Sequence, residues 1–252
     1  MKTWKLTLEY DGTKYRGWQE QRNARSVMGE LRAALEEFFG MEVDLHGAGR
    51  TDAGVHAIAQ VAHVRVNSST RRHPEQMLRI LNDRLPADIV ITAVEESPNR
   101  FHARHDAVTR TYVYQIATRK SAFSKKYVWW IKDPLDVGTM SRAAKMIAGR
   151  HDFACFRAVD PSKPEDSSIV VVVSAEIETE EGMILFRIEG SHFVWRMVRR
   201  LVGVLVKLGL GEITMGDFER LLEGRPDPKL DVAAWTAPAA GLFLEAVNYK
   251  KV

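Results

Sequence analysis

Hydrophobic and polar positions alternate from the first residues of this chain. "WKLTLEY" reads as a half-buried strand, closed by the turn "DGT". From Ser26 the spacing changes: Val27, Leu31, Leu35 and Phe38 recur at helical intervals, with Ser26 placed as an N-cap. "MEVDL" predicts a short strand, and "VHAIAQVAHVRV" a longer one whose Val55, Ala57, Ala59 and Val61 face is small and apolar. Pro74 suits the first turn of a helix running through Leu85, and "DIVITAVEE" follows as a strand. The order is strand, helix, strand, strand, helix, strand.

A similar order then recurs. "TRTYVYQIA" predicts a strand, "VGTMSRAAKMIAG" a helix, and "SIVVVVSAEIE" with "MILFRIEG" a hairpin about "TEEG". "HFVWRMVRRLVGVLVKLG" predicts one long helix, "MGDFERLLEG" a short one and "LFLEAVNY" a last strand. The economical fold class is α/β (α+β), with two α/β halves built on antiparallel sheets. The halves are expected over 1–104 and 105–252, with the boundary near residues 100–107. "DPSKPEDSS" (160–168) predicts a flexible loop.

Composition adds a globular character: 45% of the 252 residues are hydrophobic and 27% charged, enough to bury a substantial core. Charge changes the picture more. The net value is only +3, yet six basic residues and no acid lie between Ala107 and Lys132, and four basic residues and no acid between Ser191 and Gly211. Acids gather instead in "EIETEEG" and "EITMGDFERLLEGRPD". Clustered positive charge on a nearly neutral chain predicts a face for a polyanion. The single Cys155 excludes a disulfide framework within the chain and any multi-cysteine zinc site. "MKTWKLTLEYDG" has no apolar core of a signal peptide, and "LVGVLVKLGL" is too short to span a membrane and carries Lys207. A soluble cytoplasmic protein, with no membrane partner, is expected.

The chemistry concentrates in "HGAGRTDAGVHA", residues 46–57. A Walker loop needs G-x-x-x-x-G-K-[ST], which is absent. The dinucleotide pattern G-x-G-x-x-G fails because Asp52 stands at its last glycine, where a carboxylate would repel a pyrophosphate. What remains is an acid on a permissive backbone between two strands, where glycines let the chain approach a ligand closely. Arg50 can neutralise a nearby phosphate or hold Asp52 ionised. The same spacing is compatible with an Asx-type turn or a local Asp52–Arg50 pair.

The longer run "GAGRTDAGVHA" resembles the active-site loop of the TruA family of tRNA pseudouridine synthases. The similarity continues in family order through "EYDGTKYRGWQEQ", "FHARHDAVTRTYVY" (101–114), "HDFACFRA" (151–158), "FVWRMVRRLVG" (193–203) and "AAGLFLEAVNY" (239–249). The resemblance implies isomerisation of uridine to pseudouridine in the tRNA anticodon stem-loop, at tRNA positions 38–40. It makes Asp52 the catalytic aspartate, able to act on an electron-poor sugar carbon. Addition to C1′, elimination to a glycal and attack on the base all remain open to it. Tyr112 matches the family's active-site tyrosine, a ring to stack on uracil and a phenol to help take the C5 proton. Arg199 matches the arginine that pairs with the aspartate.

Arg196, Arg199 and Arg200, at i, i+3 and i+4, are expected on one helical face, with Val194, Leu201, Leu205 and Leu208 packed opposite. Arg50, Arg196 and Arg200 join Tyr112 as substrate-binding candidates. Lys125, Lys126, Arg71 and Arg72 are candidates for phosphate contacts around a flipped-out nucleotide. The resemblance further implies two ferredoxin-like halves joined into one largely antiparallel sheet, with the active-site cleft between them. It also implies a homodimer and no cofactor or metal. His102 and His105 have no third ligand nearby, so they predict no metal site either. The sequence departs from the family at Met28, where Gln is usual, and at His105, where an aromatic is usual. A rival reading keeps the fold and the basic face as a non-catalytic tRNA-binding or RNA-chaperone module. A weaker one is a hydrolase that uses the same carboxylate.

Overall fold

A computed structural model describes residues 1–67, 73–159, 167–225 and 227–250. It divides into two compact units: Met1–Val108 with Phe243–Val252, and Thr109–Leu242. Each is a largely antiparallel sheet with helices packed on it, so the fold is α+β. Most of "DPSKPEDSS", residues 160–166, and the candidates Arg71 and Arg72 lie outside the described residues.

The first unit contains β1 (Lys2–Tyr10), α1 (Val27–Phe39), β2 (Asp44–Gly47), β3 (His56–Val66), α2 (Pro74–Arg84) and β4 (Ile89–Ser97). Its strand order β4-β1-β3-β2, antiparallel throughout, is the ferredoxin-like arrangement that a βαββαβ chain adopts. Trp4, Leu6 and Leu8 of β1 are fully buried, as the alternation requires. The Ser26 hydroxyl accepts from the Gly29 amide at 3.2 Å, and Gly40, at φ 69°, ends α1 in the left-handed region. Phe39 takes the buried place expected of Phe38.

Strand β2 begins three residues later than "MEVDL" predicts. The Val43 carbonyl is occupied by the Arg32 guanidinium at 2.7 Å, and ladder pairing starts where Asp44 meets Arg65 of β3. Strand β3 is lined by neighbours on both edges: Phe243 and Leu244 of the C-terminal strand Leu242–Tyr249 pair with His56 and Ala57 in parallel. Most of its side chains are also buried, Gln60 and His63 fully so, with Ile58 exposed. Under the loop that follows β2, Ala48, Val61 and Ala103 form a small cluster covered by Phe101, Val247 and Tyr249. The Tyr249 hydroxyl donates to the Ala103 carbonyl at 2.7 Å.

The second unit contains β5 (Ala107–Ala117), β6 (Trp129–Trp130), α3 (Val137–Met146), β7 (Gly149–Asp152), β8 (Ile169–Glu180), β9 (Met183–Gly190), α4 (Met197–Gly209) and α5 (Met215–Leu222). Strands β5-β9-β8-β7 are antiparallel in that order, and β6 runs parallel to β5. Helix α4 starts at Met197 rather than in "HFVW". Arg196 sits in the left-handed region at φ 61°, and the Met197 amide closes a turn onto the Val194 carbonyl at 3.0 Å. Arg196 and Val194 therefore precede the helix, and the expected three-arginine face reduces to Arg199 and Arg200. No helix among the described residues is long and apolar enough to cross a membrane.

Four histidines stack in the first unit: His46 on His63 at 5.3 Å, His63 by His102 at 4.6 Å, and His102 by His105 at 4.2 Å between ring centroids. His63 Nδ1 accepts from the Ala103 amide at 3.1 Å, and its Nε2 is buried without a hydrogen-bond partner. Burial, then Arg65, His102 and His46, push the His63 pKa down to about 4 from 6.5. A depressed imidazole stabilises the fold fully above the unfolded value, and that stability is lost as pH falls from 6.5 towards 4. Denaturant titration should lose about 2 kcal/mol between pH 7.5 and 5 from this group. His63→Gln, whose amide oxygen can still accept from Ala103, should flatten that slope. Equal slopes in both proteins would contradict the assignment.

Candidate active site

The loop between β2 and β3 carries Asp52, and main-chain contacts shape it. The Asp52 carbonyl accepts from the Val55 amide at 3.1 Å, closing a β-turn with Gly54 at its third position, φ 78°. The backbone carbonyl of Asp52 thus closes the turn. One residue earlier, the Thr51 carbonyl accepts from the Trp18 amide at 3.1 Å, and its hydroxyl shares a hydrogen with the Tyr10 phenol at 2.8 Å. Burial pushes the Tyr10 phenol up to about 12, so it stays protonated there at neutral pH. The Gly54 amide donates to the Tyr15 carbonyl at 3.3 Å, and the Gln60 side-chain Nε2 donates to the Gly49 carbonyl at 3.0 Å.

The glycines serve this interlock. A Cβ on Gly17, at φ 94°, would lie 2.5 Å from the Thr51 carbonyl oxygen; one on Gly12 would lie 1.9 Å from the Val55 oxygen. A Cβ on Gly47 would strike the Trp18 indole at 2.5 Å. At Gly47 the absent side chain therefore makes room for Trp18, not for a ligand as the sequence suggested. The segment after β1, "EYDGTKYRGWQEQ", is the floor on which the Asp52 turn rests. Asp52 is half-buried and Arg50 exposed.

The second unit positions the other expected residues. Tyr112, on β5 opposite Ile188 of β9, is 8% exposed and meets Phe193 edge-on at 5.2 Å. Tyr114, two residues on, is fully buried and donates to the Pro238 carbonyl at 2.8 Å. Burial raises its phenol above the usual range, with the Arg199 cation partly offsetting the effect. Arg199 is locked twice to one residue: its Nε donates to the Ala237 carbonyl at 2.7 Å, and the Ala237 amide donates to the Arg199 carbonyl at 3.0 Å. It stands in the first turn of α4, which has no acid and no side-chain cap, so the helix N-terminus adds to its positive field.

The remaining arginines separate. Arg200 donates to the Arg157 carbonyl at the end of "HDFACFRA", while its Nε is buried without a hydrogen-bond partner; burial first, then Arg196, lowers its pKa. These contacts make Arg200 a brace for that segment. Arg196 is exposed, its guanidinium 4.9 Å above the Trp195 ring. It is the non-glycine residue with positive φ among those described, a strained state that functional sites often hold. Lys125 and Lys126 are exposed on a short turn, Ser124–Lys126. No group of three or more His, Cys, Asp or Glu among the described residues is placed to hold a metal ion. Sequence reasoning missed Tyr10, Gly12, Gly17, Trp18 and Gln60 as supports of the Asp52 turn; "DGTKYRGW" was the signal, read only as a motif.

The chain matches the tRNA pseudouridine synthase family model over residues 7–106 and 143–250. It is 36% identical over 252 residues to tRNA pseudouridine synthase A 2 of Bacillus thuringiensis subsp. konkukian, covering 99% of this chain and all (100%) of that protein. The chain is also similar to tRNA pseudouridine synthase A of Thermoanaerobacter sp. strain X514, 39% identical over 97% of this chain and 98% of the relative. The corresponding protein of Acetivibrio thermocellus is 38% identical over 99% of this chain and 100% of its own length. Motif order and near-complete coverage agree: the chain belongs to the tRNA pseudouridine synthase family, in the TruA group that its motifs resemble.

Proposed function

We propose that this isomerase converts uridine to pseudouridine in the anticodon stem-loop of tRNA, at tRNA positions 38–40, working as a cytoplasmic homodimer that holds tRNA across both subunits. The family membership and the relatives' names support tRNA as substrate; the motif resemblance supports the stem-loop and the dimer. Asp52 comes from the first unit, and Tyr112 and Arg199 from the second. The reaction breaks N1–C1′, with the bonding pair leaving on the uracil. The base turns, C5 bonds to C1′, the C5 proton is lost and N1 gains one. No electrons are exchanged with any other species.

In this reading the Asp52 carboxylate acts at the ribose, where positive charge develops. Arg199, its guanidinium plane fixed by Ala237, holds that carboxylate ionised and aimed. Tyr112 stacks on the extruded uracil and assists proton removal from C5. Arg50 and Arg196, both exposed, grip phosphates, with Lys125 and Lys126 further out. Arg200 contributes by bracing the Arg157 segment. The observation that carries the reading is the main-chain pinning of the Asp52 turn, which orders a half-buried acid before any substrate arrives.

Asp52→Asn keeps the shape and removes the charge. Release of the C5 hydrogen from labelled tRNA should fall on the order of 10³-fold or more, with tRNA affinity within about threefold of the parent. Retained activity would show that Asp52 is not the catalytic acid; a parent protein that binds tRNA without isomerising it would reinstate the non-catalytic reading, and release of free uracil the hydrolase. Gly17→Ala should push the Thr51–Asp52 backbone aside and cost about 10²-fold in kcat. Gly40→Ala is its control: φ is 69°, with nothing within 4 Å, so it should lower stability by about 1 kcal/mol and spare kcat. Equal losses of kcat in the two variants would show that the Gly17 contact does not position the acid.

A further inference from the structure

Beyond Tyr112, strand β5 runs into a stretch of which the proposed reaction uses only Lys125 and Lys126, as outlying phosphate contacts. From Arg119 to Lys132 it contains Arg119, Lys120, Lys125, Lys126 and Lys132 and no acidic residue. Three rings share the same stretch: Phe123 is 92% exposed, Trp130 40% and Tyr127 38%. Exposed aromatics at this density are held out of water's reach in most folds, and here the local structure keeps them outside.

The stretch is ordered by its own bonds. The Ser121 hydroxyl accepts from the amides of Phe123 and Ser124 at 3.3 and 3.4 Å, and the Tyr127 amide donates to the Ser124 carbonyl at 2.8 Å. Trp129 and Trp130 pair with Ile116 and Ala117 of β5, and the Ile131 amide donates to the Ala117 carbonyl at 3.0 Å. Trp129 turns inward against Tyr114 at 6.4 Å, whereas Trp130 faces out with the Lys120 ammonium 5.2 Å from its ring centroid. Cations interleaved with exposed rings are what a single-stranded nucleic acid needs: rings for its bases and ammonium groups for its phosphates.

We propose that Arg119–Lys132 is a second RNA-contacting surface, on which Phe123 and Trp130 stack unpaired bases while Lys120, Lys125, Lys126 and Lys132 hold the adjoining phosphates. It rests on tRNA being the substrate. Ala117, beside Trp130, lies five residues along β5 from Tyr112, about 17 Å at the rise of a strand. That is the span of about five stacked nucleotides, so the surface engages RNA outside the reacting residue's immediate neighbours. A second copy of this chain is the other candidate occupant. The uniform positive charge disfavours it, because two such faces would meet cation to cation.

The test uses full-length protein carrying Asp52→Asn, so that binding is read without turnover, and tRNA as the probe. Adding Phe123→Ala with Trp130→Ala should weaken tRNA binding about tenfold or more, leaving the slope of log Kd against log salt unchanged. Adding Lys125→Ala with Lys126→Ala instead should weaken binding and reduce that slope by about 1.4, the single-strand value for two phosphates. Thermal midpoints matching the parent confirm folding. An unchanged Kd in the aromatic variant overturns the surface, as does a change in its sedimentation without RNA, which would assign the patch to a second copy. Failure of the tRNA reading itself looks different: the Asp52→Asn parent would then show no tRNA affinity to lose.

Discussion

Close backbone contact between residues 11–18 and the loop after β2 is the constraint on which the proposed chemistry rests. Side chains could not make it. Gly12 and Gly17 bring main chain against main chain, and Gly47 gives the Trp18 ring its space. The hydrogen bonds from Trp18 to Thr51 and from Gly54 to Tyr15 then fix the residues on either side of Asp52. An acid fixed through its backbone needs no reorganisation when substrate binds, which is where preorganised electrostatic sites gain most. The fully buried Trp18 and the Tyr10–Thr51 bond carry that rigidity into the first unit's core.

The second unit handles charge in a complementary way. Arg199 occupies the first turn of α4, where a cation is unfavourable against the helix dipole, and the chain holds it there through both its side chain and its carbonyl. A cation retained there at an electrostatic cost is consistent with the proposed role of Arg199 in holding an anion. Arg200, one residue on, is spent on the Arg157 carbonyl and on burial. The two neighbouring arginines thus differ in which carbonyl each reaches, Ala237 for Arg199 and Arg157 for Arg200.

Periodicity made the regular elements legible. The alternation of β1, the Ser26 cap of α1 and the Pro74 start of α2 are all local signals, and each element formed where its signal lies. What escaped depends on contacts distant in sequence. Strand β2 shifts because Arg32 claims the Val43 carbonyl, and "GRHD" becomes β7 only by pairing with β8. Helix α4 starts late because Arg196 takes a left-handed backbone that no residue-type preference announces. The last strand follows the second half in sequence yet pairs with β3, and no local pattern specifies a partner. The proposed site residues Asp52, Tyr112 and Arg199 rest on motif resemblance, which local pattern does not supply. The glycines were visible but their purpose was not, because a glycine shows a need for space without showing what fills it. His105, an exception to the family pattern, proves to extend a stack through His102 to the buried His63.

The most direct measurement is a crystal structure of the Asp52→Asn protein bound to a tRNA anticodon stem-loop. The expected result is a uridine extruded from the stack, with its C1′ about 3.5 Å from the substituted side chain at position 52, the Arg199 guanidinium beside that side chain and the Tyr112 ring against the base. A target uridine still stacked in the stem, or a ribose lodged away from position 52, would contradict the assignment of this turn as the reacting centre.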